Sequence, residues 1–322
     1  RPAGEPVESD FRIEEVATPE PGPGQALVQV LYLSLDPYMR GRMRDTASYA
    51  PPVGLGEVMT GGAVGQVVAS QSPEFSVGDI VEGRLGWQEF ALGAAPSLRK
   101  IDRELAPIST ANGILGMPGM TAYCGLFEIG QPKVGETVVV SAASGAVGQV
   151  VGQLAKRAGC HVVGIAGGDK KCAFVRDELG FDACVDYKAG DLEGALKAAA
   201  PKGIDVYFES VGGEILDTVL LQMNVFGRIP VCGLISAYAA TTLPDGPKNI
   251  RFVLTQRLTM RGLIVFDWAD RVPEAIRELG AWHKAGKLHI REDVREGGID
   301  AYPEVLNQLY TSGNFGKLVL KV

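Results

Sequence analysis

The sequence predicts an α/β protein of two parts, a doubly wound parallel sheet and a small antiparallel β-barrel, and three observations carry that reading. Short apolar runs broken by Pro and Gly fill the early part of the chain, and strands alternate with helical periods further on. Between one such strand and its helix stands the turn Ala143-Ser144-Gly145-Ala146-Val147-Gly148. With 322 residues the chain has room for two apolar interiors.

The barrel-like part is read from runs at 26–33 and 63–69, punctuated by Pro21-Gly22-Pro23-Gly24, Pro51-Pro52, Gly61-Gly62 and Gly78-Asp79. The pattern changes near Leu115. A strand at 137–141 leads into a helix whose Val147, Val150, Val151, Leu154, Ala155 and Ala158 share one face. Lys156 and Arg157 complement the dipole in its last turn, and Gly159 supplies a left-handed stop. Strands at 160–166, 184–187, 205–209 and 228–232 then alternate with helices at 170–179, 192–200 and 214–223. Pro230 is awkward there, because it cannot donate to a ladder. A helix at 272–284 and a strand at 317–322 close the chain, and the last segment is expected to return to the first part. The expected domains are residues 1–115, 116–285 and, rejoining the first, 286–322.

Charge and composition narrow the partners. With 31 basic against 38 acidic residues the net charge is -7, which disfavours a nucleic-acid partner. Five cysteines without paired spacing read as reduced thiols, and with no apolar leader at the start they predict a cytoplasmic protein. Residues 137–155 are free of charge and long enough to suggest a membrane span. Gln149 and Gln153 would then sit in hydrocarbon, so a buried strand, turn and helix is the expectation, and no membrane.

The turn at 143–148 is an A-x-G-x-x-G form of the dinucleotide fingerprint. Gly145 would let a pyrophosphate approach the backbone, Gly148 would let the helix lie close to the strand, and helix-start amides would face the phosphate. Enzymes that use NAD usually carry an acid at the end of the next strand, where this chain has Ala166-Gly167-Gly168. Asp169 is expected to act as an N-cap. Lys170 and Lys171 in a first helical turn oppose the dipole, which a 2′-phosphate would explain; a solvated basic pair is the alternative. The three histidines are far apart and no C-x-x-C, H-E-x-x-H, P-loop or G-x-S-x-G is present, so neither a metal centre nor acyl transfer is expected.

Longer segments carry a family likeness: Leu33-Ser34-Leu35-Asp36-Pro37-Tyr38-Met39-Arg40, Met117-Pro118-Gly119-Met120-Thr121-Ala122-Tyr123, Tyr207-Phe208-Glu209-Ser210-Val211-Gly212-Gly213 and Gly313-Asn314-Phe315-Gly316-Lys317. The chain resembles the zinc-independent medium-chain dehydrogenase/reductases, in the branch of prostaglandin, alkenal and curcumin reductases. That resemblance implies a GroES-like catalytic domain with a Rossmann domain inserted in it, an active site in the cleft between them, NADP(H) as cofactor and a homodimer. Where zinc alcohol dehydrogenases have Gly-His-Glu, this chain has Leu55-Gly56-Glu57, and their ligand cysteine is replaced within Leu35-Asp36-Pro37-Tyr38.

By the same resemblance Lys171 and Tyr187 match residues at the 2′-phosphate, Asn314 a cofactor contact, and Leu263 and Val265 backbone positions at the carboxamide. Gly167, Ser210, Cys232 and Ile235 fall within cofactor-binding segments, Ser210 standing where the family often has Asn. Tyr238 and Tyr49 match tyrosines at the reacting end. The implied reaction is hydride transfer to the β-carbon of a small enone or enal, the enolate being held by Tyr238 with the cofactor ribose, or second by Tyr49. A neutral phenol, of ordinary pKa about 10, is a donor at pH 7 without a metal. Two rival readings remain open, a quinone reductase of the same superfamily and a non-catalytic NADPH-binding protein.

Overall fold

The computed structural model describes residues 1–242 and 244–322. The chain forms two compact units, Arg1–Gly116 with Glu292–Val322, and Met117–Arg291. In the first unit β1 (Gln25–Ser34) pairs antiparallel with β2 (Ala63–Ser70), which pairs with β3 (Ile80–Gly83). The strand β4 (Phe90–Ala94) pairs with β1, and β5 (Leu98–Lys100) with β3. Two register shifts between β1 and β2 bend the ladder, as bulges do. Val28, Val30 and Leu33 point inward onto Val67, Val81 and Met39 in one apolar cluster. Asp36-Pro37 opens the short helix Tyr38–Arg42, and the fully buried Arg40 straps the N-terminal segment by donating to the carbonyls of Gly4 (2.7 Å) and Pro2 (2.8 Å).

The second unit is a parallel sheet of β6 (Thr137–Val140), β7 (His161–Ala166), β8 (Ala183–Asp186), β9 (Ile204–Phe208), β10 (Met223–Val231) and β11 (Thr259–Gly262). Its spatial order is β11-β10-β9-β6-β7-β8. The chain runs outward from β6 to β8, then restarts on the other side with β9. The switch point therefore lies between β6 and β9, where doubly wound sheets open a crevice for a ligand at the carboxyl ends of their strands. All four residues of β6 are buried, as a strand covered on both faces requires.

Helix Gly148–Arg157 lies against this sheet. The ring of Phe181 occupies the space over Gly152, where a Cβ would come within 1.7 Å of it. Gln149 and Gln153 are buried because they replace backbone partners. Their amide nitrogens donate to the carbonyls of Arg291 (3.2 Å) and His289 (2.7 Å), while their oxygens accept the N–H groups of those same residues, each at 2.8 Å. Among the described residues no helix is long and apolar enough to cross a membrane.

Three local expectations are corrected. Gly168, not Asp169, is the N-cap of helix Asp169–Ala173: it takes φ +86°, and its own N–H is held by Asp186 Oδ1 at 2.9 Å. The helix expected over 170–179 changes after Ala173 to a wider turn of π type, Phe174–Glu178. The strand expected at 228–232 begins at Met223, because the preceding helix stops at Leu220. Pro230 takes part through its carbonyl, which accepts the Glu209 N–H at 3.0 Å.

The remaining strands, β12 (Glu292–Arg295) and β13 (Lys317–Lys321), belong to the first unit, where β13 pairs antiparallel with β1 and parallel with β12. Lys317 is the anchor of that return. Its buried ammonium donates to Asp36 Oδ1 (2.9 Å) and to the Leu35 carbonyl (2.8 Å), and the Ser34 hydroxyl donates to the other oxygen of Asp36.

Candidate active site

The turn after β6 is built by close backbone packing. Gly145 N–H donates to the Ala142 carbonyl at 2.8 Å, and Ala142 itself takes φ +48°. A Cβ on Gly148 would stand 2.4 Å from that carbonyl oxygen and 2.8 Å from Ala143 Cα, so only glycine permits the approach. Ala143, Ser144 and Gly148 are buried, while Gly145, Ala146 and Val147 keep part of their surface exposed at the lip of the turn. Such a lip, at the switch point and at the start of a helix, fits a diphosphate.

Beside it, at the end of β7, Gly167 leaves room for the ring of Tyr187, which a Cβ there would meet at 2.9 Å. Asp186 Oδ1 accepts the N–H groups of both Gly168 and Lys188 at 2.9 Å, tying the β7 end to the β8 end. Lys171 follows in the first turn of its helix, with its N–H on the Gly168 carbonyl at 3.1 Å. Gly167 and Tyr187 thus stand on adjoining loops after β7 and β8, with Lys171 in the helical turn that follows Gly167.

On the other side of the switch point Ser210 N–H donates to the Ser141 hydroxyl at 2.9 Å. Cys232 and Gly233 both donate their N–H groups to the Glu209 carbonyl, at 2.8 and 3.2 Å. The segment after them docks on the same turn: Ile235 N–H reaches the Ser210 carbonyl (3.2 Å), Ser236 N–H the Val211 carbonyl (3.0 Å), and the Ser236 hydroxyl that carbonyl also (2.6 Å). Tyr238 ends the helix Ile235–Tyr238, and its hydroxyl accepts the Leu234 N–H at 3.2 Å. Gly233 leaves space for that hydroxyl, since a Cβ would lie 3.1 Å from it. Burial pushes the Cys232 thiol up to about 12, which makes it a neutral packing group at pH 7. Leu263 N–H continues the ladder to the Val231 carbonyl at 3.0 Å, with Val265 two residues on at the start of the 3-10 turn Val265–Arg271.

The first unit carries the other two expected residues. Tyr49 is 53% exposed; its hydroxyl is nevertheless held above the ordinary phenol value, by partial desolvation first, against the lowering effect of Arg42 and Arg84. Asn314 donates from Nδ2 to the Gly316 carbonyl at 3.0 Å, which fixes the loop before β13. Sequence reasoning missed Ser141, Asp186 and Glu209, all of which hold the loops that carry the expected residues. For Glu209 a signal was present: a carboxyl directly after the apolar run Val206-Tyr207-Phe208.

The chain is similar to known proteins along nearly its whole length. Residues 1–101 match the family model described as the N-terminal domain of oxidoreductase, and residues 146–281 that of zinc-binding dehydrogenase. The chain is 48% identical to an NADPH-dependent curcumin reductase of Escherichia coli, over 100% of this chain and 94% of that protein. It is 45% identical to an NADP(+)-dependent 2-alkenal reductase of Nicotiana tabacum, over 99% and 94% of the two chains. With prostaglandin reductase 1 of Rattus norvegicus it shares 41% identity over 99% of this chain and 95% of the other. The crystal structure of CurA from Vibrio vulnificus in complex with NADPH is similar with a TM-score of 0.94 and 46% identity, over 100% of this chain and 97% of that one.

Proposed function

Since the chain belongs to the medium-chain dehydrogenase/reductase family, in the branch of curcumin, 2-alkenal and prostaglandin reductases, we propose that it is an NADPH-dependent reductase of the activated carbon–carbon double bond of enones and enals. One observation within the chain carries the reading most directly. The glycine turn at the switch point and the Tyr238 segment are joined by one set of hydrogen bonds through Ser141, Ser210 and Val211.

Bound NADPH would supply the hydride that reaches the β-carbon of the acceptor. The lip Gly145 to Val147 would hold its diphosphate, Lys171 and Tyr187 its 2′-phosphate, and the backbone at Leu263 and Val265 its carboxamide. The β7 end Ala166-Gly167-Gly168 carries no acid of its own where enzymes that use NAD usually have one, and the nearby Asp186 is engaged by the Gly168 and Lys188 N–H groups. As negative charge grows on the acceptor's carbonyl oxygen, the Tyr238 phenol donates a hydrogen bond to it; a neutral phenol can do so at pH 7. A metal has no part in this proposal, and among the described residues no group of three or more His, Cys, Asp or Glu side chains could hold one. Tyr49 and Asn314 keep in it the roles that the family resemblance assigns.

The deciding assay follows NADPH absorbance with a panel of enals, enones and quinones, then repeats it with NADH. Oxidation by enals and enones is expected; oxidation by quinones alone would give the site to a quinone reductase, and binding without oxidation by any acceptor would make it a binding protein. Tyr238→Phe should lower turnover by about two to three orders of magnitude, the usual cost of one oxyanion donor. Unchanged turnover removes Tyr238 from the role. Lys171→Ala should raise the KM for NADPH and leave that for NADH unchanged.

A further inference from the structure

Glu209 is completely buried at the end of β9, on the strand beside the glycine turn. Its Oε1 accepts the N–H groups of Val211 and Gly212, at 2.5 and 3.0 Å, and lies 3.2 Å from the Ser141 hydroxyl. That hydroxyl in turn accepts Ser210 N–H, and it belongs to the residue just before the turn Ala142 to Gly148. The backbone carbonyl of Glu209 holds Cys232 and Gly233. Among the described residues no cation pairs with the carboxyl, and the buried Tyr207 hydroxyl is its nearest titratable neighbour. A carboxyl in such a place costs stability, since burial desolvates it and no cation answers it among the described residues. Packing alone would be served better by an apolar residue.

We infer that Glu209 is the positioning residue of this site: one carboxyl oxygen sets the Ser210 to Gly213 turn and, through Ser141, the dinucleotide turn, so that cofactor and Tyr238 segment are held in a single register. The geometry explains the choice of residue. Two amide donors and one hydroxyl converge on one oxygen, and a side chain that places such an oxygen two bonds beyond Cγ, from inside the strand, is Glu or Gln. Val211 and Ser210 then present their carbonyls to Ser236 and Ile235, which lead to Tyr238. Loss of the oxygen would release the two amides together and leave the Ser141 hydroxyl only the Phe208 carbonyl, also 3.2 Å away. Glu209 touches neither the acceptor nor the cofactor in this role; it acts through the backbone that does.

The inference rests on the proposed NADPH site but not on the identity of the acceptor, so its test reads cofactor binding directly. Titrate NADPH, by its fluorescence change, into the wild type, Glu209→Gln and Glu209→Ala, and record the thermal midpoint of each without cofactor. Glu209→Ala should bind NADPH about tenfold or more weakly, the ordinary result of stranding buried donors. Glu209→Gln keeps the acceptor oxygen and should bind within about threefold of wild type. A folded Glu209→Ala that binds NADPH as the wild type does overturns the inference, and so does a Gln variant as weak as the Ala variant. Should Glu209→Ala not fold, Ser141→Ala decides: it removes one link of the network at a small cost in volume, and unchanged NADPH affinity in it overturns the inference. Failure of every enone and enal to oxidise NADPH, with these affinities as expected, would remove the proposed acceptor and leave the role of Glu209 standing.

Discussion

Each unit of the protein buries a carboxyl, and the two are treated in opposite ways. In the first unit Asp36 is paired: the Lys317 ammonium stands 2.9 Å away, Ser34 donates to the other oxygen, and both ends of the ion pair are nearly without exposed surface. In the second unit Glu209 has no cation among the described residues, and its donors are the Val211 and Gly212 N–H groups and the Ser141 hydroxyl. Burial therefore holds the Glu209 carboxyl above the ordinary value, and its bonds to Val211 and Gly212 only partly offset that. The contrast separates two uses of a buried acid. Asp36 joins chain segments 281 positions apart and makes the C-terminal strand part of the first unit. Glu209 joins the loops around a proposed ligand site, where a strained or under-satisfied group is tolerated because the site needs the register.

The largest effect should come from breaking the pair. Lys317→Met leaves the Asp36 carboxyl buried without its cation and should cost about 3–5 kcal/mol, measured by denaturant unfolding. Adding Asp36→Leu to that variant should restore most of the loss, because an apolar pair of similar volume is often no worse than a buried ion pair. If the single variant loses less than about 1 kcal/mol, the two carboxyls differ less than their surroundings suggest. Next in size, Ser34→Ala removes one bond to a charged oxygen and should cost about 1.5 kcal/mol in the same measurement.

The smallest effect is read by its sign. A carboxyl raised in the folded state contributes its stability fully below the unfolded value, about 4.3, and loses it as pH rises through the folded value. The wild type should therefore lose thermal stability relative to Glu209→Gln as pH rises from that point, while the difference is smallest in acid. Tyr207 and Cys232, the titratable neighbours, are both pushed upward by burial and stay neutral across this window. A difference between the two proteins that is flat with pH would mean that Glu209 is not raised, and the contrast with Asp36 would reduce to one of partners.

Much of the second unit was legible before any coordinates. The helix at Gly148 was visible because its apolar residues repeat with helical period, and Gly159 does stop it with φ +81°. Helix Val272–Lys284 has the expected bounds for the same reason. Elements with weak local signals were not visible: β11 reads Thr-Met-Arg-Gly, mostly exposed at the sheet edge, and nothing in its pattern marks a strand. Asp169 was read as a cap from its residue type, but capping is decided by backbone angles, and Gly168 alone could take φ +86°. At the site, the glycine turn could be found because its chemistry is contained in six consecutive residues.

Local order, then, was determined by the sequence itself where the local signal is strong: the helices at Gly148 and Val272, the place of the phosphate-sized turn, and Gln149 and Gln153 as a mark against a membrane helix. Those properties depend on neighbours a few positions apart. Only the tertiary structure decided that the two glutamines would stand in for backbone partners of residues 289 and 291, that Lys317 would answer Asp36, and that Glu209 would join positions 141, 211 and 212. Each of these needs groups distant in the chain to meet at hydrogen-bond range in a buried place. A polar residue in an apolar run announces that some partner must exist, because burial without one is costly; which partner answers is settled by how the sheet is wound.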